Sequence, residues 1–566
     1  MRGKNRKVLC TIIALGLAAT LAVSGCVPKQ STTGGEDGVP QKGGIMSYGI
    51  AEPVCLDPYS VQESEGIQVV QALFDSLTWF DPFDPTKLLP SAADSWSSNE
   101  DATVWTFKLN PGGKFSDGAP VKAQDFVYAW NRVVSPKTVN TLSGDVDPSP
   151  VGYHLNFVKG YDEVADDKAS ELSGLRAIDD LTLEVTLTQP FADFEYIVAH
   201  PALSPVPKAL VEGGVEYDGK KVPYGDMPVG NGSFKMAEPW KHNQYINIVR
   251  NDGYVGDTPY LDGVSFRIFE NPETAYSEFE AGSLDFTQIG EGKIADAKAK
   301  YGVASDGYTA NPGQQVLLGA QAATYYLILN IQDDSLKNTD LRRAISLAIN
   351  RQAICDTVFE GTRESADNII PPGIAGYQKG GWPDSRYDVE AAKKALAEAG
   401  YPEGNGLAPL RLAFNSDGGH EKIMELIQAD LKAIGITAEF QASDWGAYLD
   451  QIDGNKHQIA RMAWQSDYPI AHGFLYPLFD SKSDDNRSNY ENLSVDRGIA
   501  EAVAITDDAA RVKKLVEVNV AVAAETPVVP VLFYCHNNVA SDRVHDFVLS
   551  PLALGYFEKA WISTTE

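Results

Sequence analysis

The stretch 104–127 constrains the fold more than any other part of the chain. Val104, Thr106 and Lys108 alternate with Trp105, Phe107 and Leu109, which is the period of a strand with one buried face. Pro111-Gly112-Gly113 and Ser116-Asp117-Gly118 follow, and both are turn sequences that need a fixed or positive φ. A helix start comes next, at Val121-Lys122-Ala123-Gln124-Asp125-Phe126-Val127. Local physics therefore predicts a strand, two turns and a helix in close succession.

The chain has 566 residues, too many for one hydrophobic core, so two or three lobes are expected. Hydrophobic residues make up 43% and charged residues 22%, the balance of a globular protein, which excludes a polytopic membrane protein. The formal charge is −30, from 77 acids and 47 bases. A surface of that sign repels phosphate backbones, so nucleic acid is excluded as a partner.

The first residues read as a targeting segment. Arg2, Lys4, Arg6 and Lys7 precede an apolar run, 8–23, that leads into Val23-Ser24-Gly25-Cys26. A basic start, an apolar middle and small residues at the cleavage point describe a secretory signal over 1–25. Small residues directly before a cysteine resemble a bacterial lipobox, with Cys26 as the lipid-bearing residue. Two or three acyl chains, at roughly 0.8 kcal/mol per buried methylene, hold a protein on a membrane. The apolar run is shorter than the ~20 residues of a membrane span. The rest of 26–44 is rich in Gly, Ser, Thr and Pro and reads as a flexible tether. Beyond it, Cys55, Cys355 and Cys535 cannot all pair, and none sits at metal-ligand spacing. Buried unpaired thiols are expected, with one disulfide as the alternative.

Strands and helices alternate irregularly, a mixed α/β and α+β pattern. Residues 181–188 alternate as a strand. Leu341, Ala344, Ile345, Ala348 and Ile349 share one face of a helix predicted over 341–359, with Gly361 after its end. Asp388 is a plausible N-cap for a helix to Ala399, with Gly400 beyond it. A strand over 410–414, a helix over 421–434 and a strand over 436–441 form a βαβ unit.

The 104–127 stretch closely resembles the signature segment of the peptide- and nickel-binding family of extracellular solute-binding proteins, family 5, which serve ATP-driven importers. Leu341-Arg342-Arg343-Ala344-Ile345-Ser346-Leu347-Ala348-Ile349-Asn350-Arg351 resembles that family's helix ending in an Asn/Asp-Arg pair. Ala391-Ala392-Lys393-Lys394-Ala395-Leu396-Ala397-Glu398-Ala399-Gly400-Tyr401 resembles another of its helices. The likeness is collinear from about 45 to 561. It implies a bilobed fold of the periplasmic binding-protein type II, or cluster C, class with an extra inserted subdomain. On that resemblance, lobe I comprises 45–90, 217–322 and 532–566, the extra subdomain 91–216, and lobe II 323–531. The hinge is expected near Tyr325 and Val531, closing on ligand.

Within the family the chain looks most like the oligopeptide receptors, which implies oligopeptides and importer permease subunits as partners and a monomeric protein without a cofactor. Ile459-Ala460-Arg461-Met462-Ala463-Trp464-Gln465-Ser466-Asp467-Tyr468 resembles the stretch that holds the peptide. Asp467 stands where the family's Asp takes the α-amino group, a full charge with three donors that suits a desolvated carboxylate. Without the resemblance, Asp467 reads rather as a turn cap before Pro469. Arg461 matches an Arg that meets the peptide carboxylate. Residues 461, 463, 465 and 467 share one face of an extended strand, so the backbones of Ala463 and Gln465 are candidates for strand addition. His420 matches a second carboxylate contact, with a solvated His at a helix start as the alternative. Glu52 and Val54, beside Leu56-Asp57-Pro58, match the main-chain pairing segment of the other lobe. Trp464, Trp445, Tyr325 and Tyr326 match pocket aromatics, with core packing as the alternative. The family's Lys after the Asn-Arg helix has no counterpart in 358–363, where Arg363 is the basic residue.

The chain lacks H-E-x-x-H, G-x-S-x-G, the Walker lysine loop and G-x-G-x-x-G. No pair of its eight histidines stands at i, i+4, so no metal site and no enzyme activity are expected. A cell-wall peptide hydrolase is a weaker reading. Dipeptides, nickel chelates, haem, oligosaccharides or a peptide pheromone stay open as alternative ligands on the same fold.

Overall fold

The expected strand forms as Val104–Leu109, with Trp105, Phe107 and Leu109 buried. It pairs antiparallel with Ala93–Ser98 and Thr182–Thr186, and Leu175–Asp179 completes a four-stranded sheet. Gly118 turns the chain at φ +92°, a conformation that costs glycine nothing. The helix Ala123–Val134 follows, its first turn closed by the Asp125 carboxylate accepting the Lys122 N–H at 2.8 Å. Its Trp130 is fully buried and donates its indole N–H to the Leu203 carbonyl at 2.8 Å.

This computed structural model describes residues 39–416, 420–483 and 485–563. The signal, Cys26, most of the tether and 417–419 lie outside the described residues. Gln41–Glu566 form one unit. No helix among the described residues is long and apolar enough to cross a membrane.

Two larger sheets organise that unit. In the seven-stranded sheet, Ile45–Ile50 runs parallel to Gly263–Ile268 in full register, and also pairs with Phe286–Gln288. Met46, Tyr48 and Ile50 point inward, and Tyr48 sits among Phe266, Phe286, Phe547 and Phe557 at 4.8–6.1 Å between ring centroids. A Cβ at Gly263 would lie 2.3 Å from the Ile248 carbonyl oxygen, so that pairing requires glycine. The six-stranded sheet has the order Glu364–Ser365, Val528–Cys535, Ala320–Leu329, Ile459–Gln465, Leu410–Asn415, Ala438–Ser443. The βαβ unit forms as read, with Leu410–Asn415 parallel to Ala438–Ser443 around the helix Glu421–Ala433. The expected lobe limits at 322/323 and 531/532 fall inside two adjacent strands of this sheet. Their ladder is irregular there, stepping from Tyr325↔Leu532 to Tyr326↔Pro530.

The single helix predicted over 341–359 is in fact two, Thr339–Ala348 and Arg351–Phe359. Asn350 breaks it by capping the second helix with its side chain on the Ala353 N–H, while the Asp430 carboxylate takes the Asn350 N–H. The buried Arg351 guanidinium binds the carbonyls of Ser346, Ile349 and Pro530, satisfying acceptors that a continuous helix would use internally. The helix Val389–Glu398 keeps its Asp388 cap, and Gly400 adopts φ +94° beyond it. Cys55, Cys355 and Cys535 are all buried free thiols. Burial pushes the thiols of Cys55 and Cys355 up to about 12.

A buried ion pair ties the helix Ala123–Val134 to the segment around Asp57. The fully buried Asp57 accepts from Arg132 Nη1 at 3.1 Å, Arg132 Nη2 at 2.7 Å and Thr141 Oγ1 at 2.8 Å. The Arg132 guanidinium also stacks 4.7 Å from the Tyr59 ring centroid. Asp57→Ala leaves Arg132 buried without an anion and lowers the unfolding free energy by about 3–5 kcal/mol. Adding Arg132→Met restores part of that loss. Chemical denaturation of both variants checks this, and a loss below about 1 kcal/mol in the single variant contradicts it.

Candidate ligand-binding site

The strand Ile459–Gln465 runs antiparallel to Ala320–Leu329 over its whole length, from Leu329↔Ile459 to Ala323↔Gln465. On its other side it pairs with Leu410–Asn415 only at Ile459 and Ala460. From Arg461 onward, no strand among the described residues pairs with that edge. The Ser466 N–H donates to the Ala322 carbonyl at 2.9 Å, which fixes the phase of the ladder, because bonded and non-bonded residues alternate in an antiparallel pair. Residues 462, 464 and 466 therefore bond to the Ala320–Leu329 strand. Ala463 and Gln465 turn their N–H and C=O groups toward the unpaired edge.

Two adjoining cavities open beside this segment. One, of about 270 Å³, is lined by Tyr153, His200, Trp464, Gln465, Ser466 and Asp467, among others. The second, of about 320 Å³, shares Ser64, Gln465 and Ala553 with the first and extends to Tyr48, Gly49, Ile50 and Ala51. The Gln465 side chain spans the gap, donating to the Leu552 carbonyl at 3.1 Å. The Trp464 indole is fixed on the Gly473 carbonyl at 2.7 Å.

Asp467 accepts a hydrogen bond from the Tyr153 hydroxyl at 3.1 Å. Burial raises its carboxyl above the usual range, while His200 and the Tyr153 O–H pull the other way without cancelling it. His154 and His200 pack with ring centroids 4.4 Å apart and their planes tilted by 37°, and burial pushes both down to about 3. Both imidazoles are therefore neutral at neutral pH, and no lysine or arginine among the described residues lines this cavity. His154, His200 and Asp467 place ligand-type atoms within 4.8 Å of one another. However, His200 Nδ1 accepts the Ala202 N–H at 3.2 Å, so the neutral ring keeps its proton on Nε2 and has no free lone pair. The trio thus presents one carboxylate beside neutral polar neighbours, open to a cationic group.

Arg461, His420, Tyr325 and Trp445 come together in a second cluster. Arg461 is 8% exposed. It lies 5.8 Å from the Tyr325 ring centroid and 5.6 Å from that of Trp445, and donates through Nε to Asn415 Oδ1 at 2.9 Å. No carboxylate among the described residues pairs with it. The His420 ring stands 5.6 Å from Tyr325, and Tyr448 donates its hydroxyl to the Arg461 carbonyl at 2.5 Å. Tyr326, one residue along the strand, is buried in a different core cluster from Tyr325. Arg363 is turned into the sheet, donating to the Cys535 carbonyl and stacking 5.1 Å from Tyr534.

Glu52 and Val54 line neither cavity. The Glu52 carboxylate accepts from the Asn243 N–H at 2.9 Å and meets His242 Nδ1 at 3.0 Å. The Val54 N–H donates to Glu63 at 2.9 Å, and its side chain is 71% exposed. The residues of this segment at the cleft are Tyr48, Gly49, Ile50 and Ala51 instead. Tyr153, His154 and His200 escaped the sequence reading because they lie in short, aperiodic turns, Gly152–Leu155 and the residues leading into Pro201–Leu203. Only the tertiary fold brings them to Asp467.

A family model for bacterial extracellular solute-binding proteins, family 5, matches residues 87–486. The chain belongs to this family. It is a solute-binding protein of an extracellular or periplasmic class and not an enzyme. The oligopeptide-binding protein OppA of Bacillus subtilis (strain 168) is 27% identical over 97% of this chain and 99% of its own. The periplasmic oligopeptide-binding protein OppA of Escherichia coli (strain K12) is 29% identical over 94% and 93%. Among solved structures, the Haemophilus influenzae OppA complex with RPPGFSPFR superposes with a TM-score of 0.72 at 28% identity, covering 93% of this chain and 99% of that one. The bilobed architecture of those structures is the architecture of this family 5 protein.

Tyr153→Phe removes a donor to the Asp467 carboxylate and so raises the Asp467 pKa further. Carbon-13 NMR titration of the carboxyl checks this, and an unchanged or lower value contradicts the hydrogen bond.

Proposed function

We propose that the protein binds oligopeptides between its lobes and delivers them to the permease of an ABC importer, as a monomer held at the outer face of the cell membrane by a lipid on Cys26. One observation carries the reading: a strand edge, unpaired after Ala460, turns the backbone groups of Ala463 and Gln465 outward and ends beside a desolvated carboxylate, Asp467. An extended peptide completes that edge by strand addition, and its α-ammonium meets Asp467. Main-chain bonds then provide sequence-tolerant affinity. Arg461, a buried cation without a carboxylate partner among the described residues, takes the carboxylate of the ligand, with His420 beside it. Lobe I is assigned to 45–90, 217–322 and 532–566, the extra subdomain to 91–216 and lobe II to 323–531. The hinge is assigned to the irregular ladder around Tyr325 and Val531.

Relatives named for oligopeptide binding support this ligand. Another relative, 28% identical over 85% of this chain and 86% of its own, is the probable deoxycholate-binding periplasmic protein YgiS of Escherichia coli (strain K12). Native mass spectrometry of the protein, purified without unfolding, separates the two ligand classes. Adducts differing by amino-acid residue masses support the peptide reading, and one uniform non-peptide adduct overturns it.

Asp467→Ala weakens binding of free-amine peptides at least about tenfold, since orphaning a buried charge costs several kcal/mol, and changes little for N-acetylated peptides. Calorimetry on both peptide types reads this, and equal losses rule out the α-amino assignment. Because burial raises the Asp467 carboxyl above 3.8, its proton competes with the ammonium as pH falls. As pH is lowered from neutral toward the range of an ordinary carboxylate, affinity for free-amine peptides therefore drops earlier than an unperturbed carboxylate allows. A flat profile over that range contradicts the assignment.

A further inference from the structure

The segments assigned to the extra subdomain and to lobe II also meet outside the two cavities. The Ala192 N–H donates to the Val503 carbonyl at 2.9 Å. Beside it, Arg511 Nη2 stands 2.6 Å from Asp193 Oδ1, with the two side chains 6% and 1% exposed. Phe157 and Phe191, with ring centroids 4.6 Å apart, face the His472 ring at 6.2 and 5.1 Å. All three rings are buried, and none of these residues lines either cavity.

This contact differs from the permanent tie at Asp57, which holds Arg132 through two nitrogens and accepts the Thr141 hydroxyl as well. Asp193 has the single approach of Arg511, and neither of its oxygens accepts a well-aligned hydrogen bond among the described residues. Arg511 has further partners on its own side, the Asp508 carboxylate at 2.7 Å and the Ile505 carbonyl at 2.8 Å. Asp508 is itself 87% exposed. Separation of the two surfaces therefore leaves Arg511 paired and delivers Asp193 to water, so no charge is stranded in a dry core. His472 Nε2 is buried without a partner among the described residues. That is a cost which the closed contact carries and which water relieves once the surfaces part. A contact with one buried ion pair at its centre and an unmatched polar atom at its side suits a two-state element.

Resting on the lobe assignment, we propose that Asp193 and Arg511 form a releasable clasp between the extra subdomain and lobe II, which keeps the cleft closed and slows ligand release without touching the ligand. The Ala192–Val503 bond sets the register of the clasp, and Phe157, Phe191 and His472 provide its apolar area. Tyr153 connects it to the site, because it lies on the same subdomain and reaches Asp467 at 3.1 Å. Parting of the clasp withdraws that neighbour from the carboxylate.

The test combines hydrogen exchange, read by mass spectrometry, with the release rate of penta-alanine from the whole protein. Arg511→Gln speeds exchange at the amides of both 191–193 and 503–511 about tenfold and speeds penta-alanine release by a similar factor, the scale of losing one partner of a buried charge pair. Arg511→Lys, which keeps a charge able to make a single-point contact, recovers most of both changes. Adding Asp193→Asn to Arg511→Gln changes little more, because both act on one contact. If thermal melting finds Arg511→Gln unfolded, Asp193→Asn, which keeps the shape of the carboxylate, is read in the same way. Exchange and release equal to those of the unaltered protein overturn the clasp. Faster exchange with unchanged release also overturns it and marks the pair as ordinary packing. If penta-alanine does not bind the unaltered protein, the peptide reading fails and exchange alone decides the clasp: acceleration of both segments together supports it, and acceleration of one segment overturns it.

Discussion

The site depends on one strand that is paired on one edge and released on the other. Ile459–Gln465 is held along its length by Ala320–Leu329, while Leu410–Asn415 leaves it after Ala460 and continues alongside Ala438–Ser443. Side chains occupy the point of divergence. Asn415 takes the Arg461 Nε–H, and Tyr448 takes the Arg461 carbonyl. An exposed strand edge invites pairing with any other chain. Here it faces cavities lined by distant segments of the sequence, so the same property becomes selective for an extended ligand.

The charges around this edge are distributed with equal economy. Net charge alone, −30 over the whole chain, says little about a shielded cleft. What matters is that the acidic groups lining the cavities and the buried Arg461 guanidinium occupy different places. Asp467, Glu65 and Glu270 line the two cavities, whereas Arg461 is enclosed by aromatic faces and an amide. Histidines that could neutralise the carboxylates are kept uncharged by burial. The cleft therefore has an electrostatic direction, which is the orientation that a zwitterionic chain requires.

Regular structure was legible in the sequence wherever a period, a cap or a turn marked it. The alternation over 104–109, the Asp388 cap with Gly400, and the βαβ unit from 410 to 441 all appear as read. The helix over 341–359 was misread because its apolar face is continuous, while the break is made by Asn350 and Arg351 through contacts with Asp430 and Pro530, remote in sequence. The candidate residues divide on the same principle. Gln465 and Asp467, on one strand and its continuation, line the cavities, whereas Ala463 on the same strand lines neither. Glu52 and Val54 were one turn of chain too far along, because His242, Asn243 and Glu63 claim their polar groups. Tyr153 and His200 have no periodic signature at all and become neighbours of Asp467 only through the packing of the four-stranded sheet and its connections.

The three buried thiols carry a consequence for life outside the cytoplasm. A thiol oxidises and exchanges through its thiolate, and burial holds that form out of reach at neutral pH in Cys55 and Cys355. With no disulfide among the described residues, the fold neither waits for an oxidant after secretion nor loses a crosslink when the surroundings turn reducing. Maturation of this receptor is thereby uncoupled from the redox potential of the space it works in.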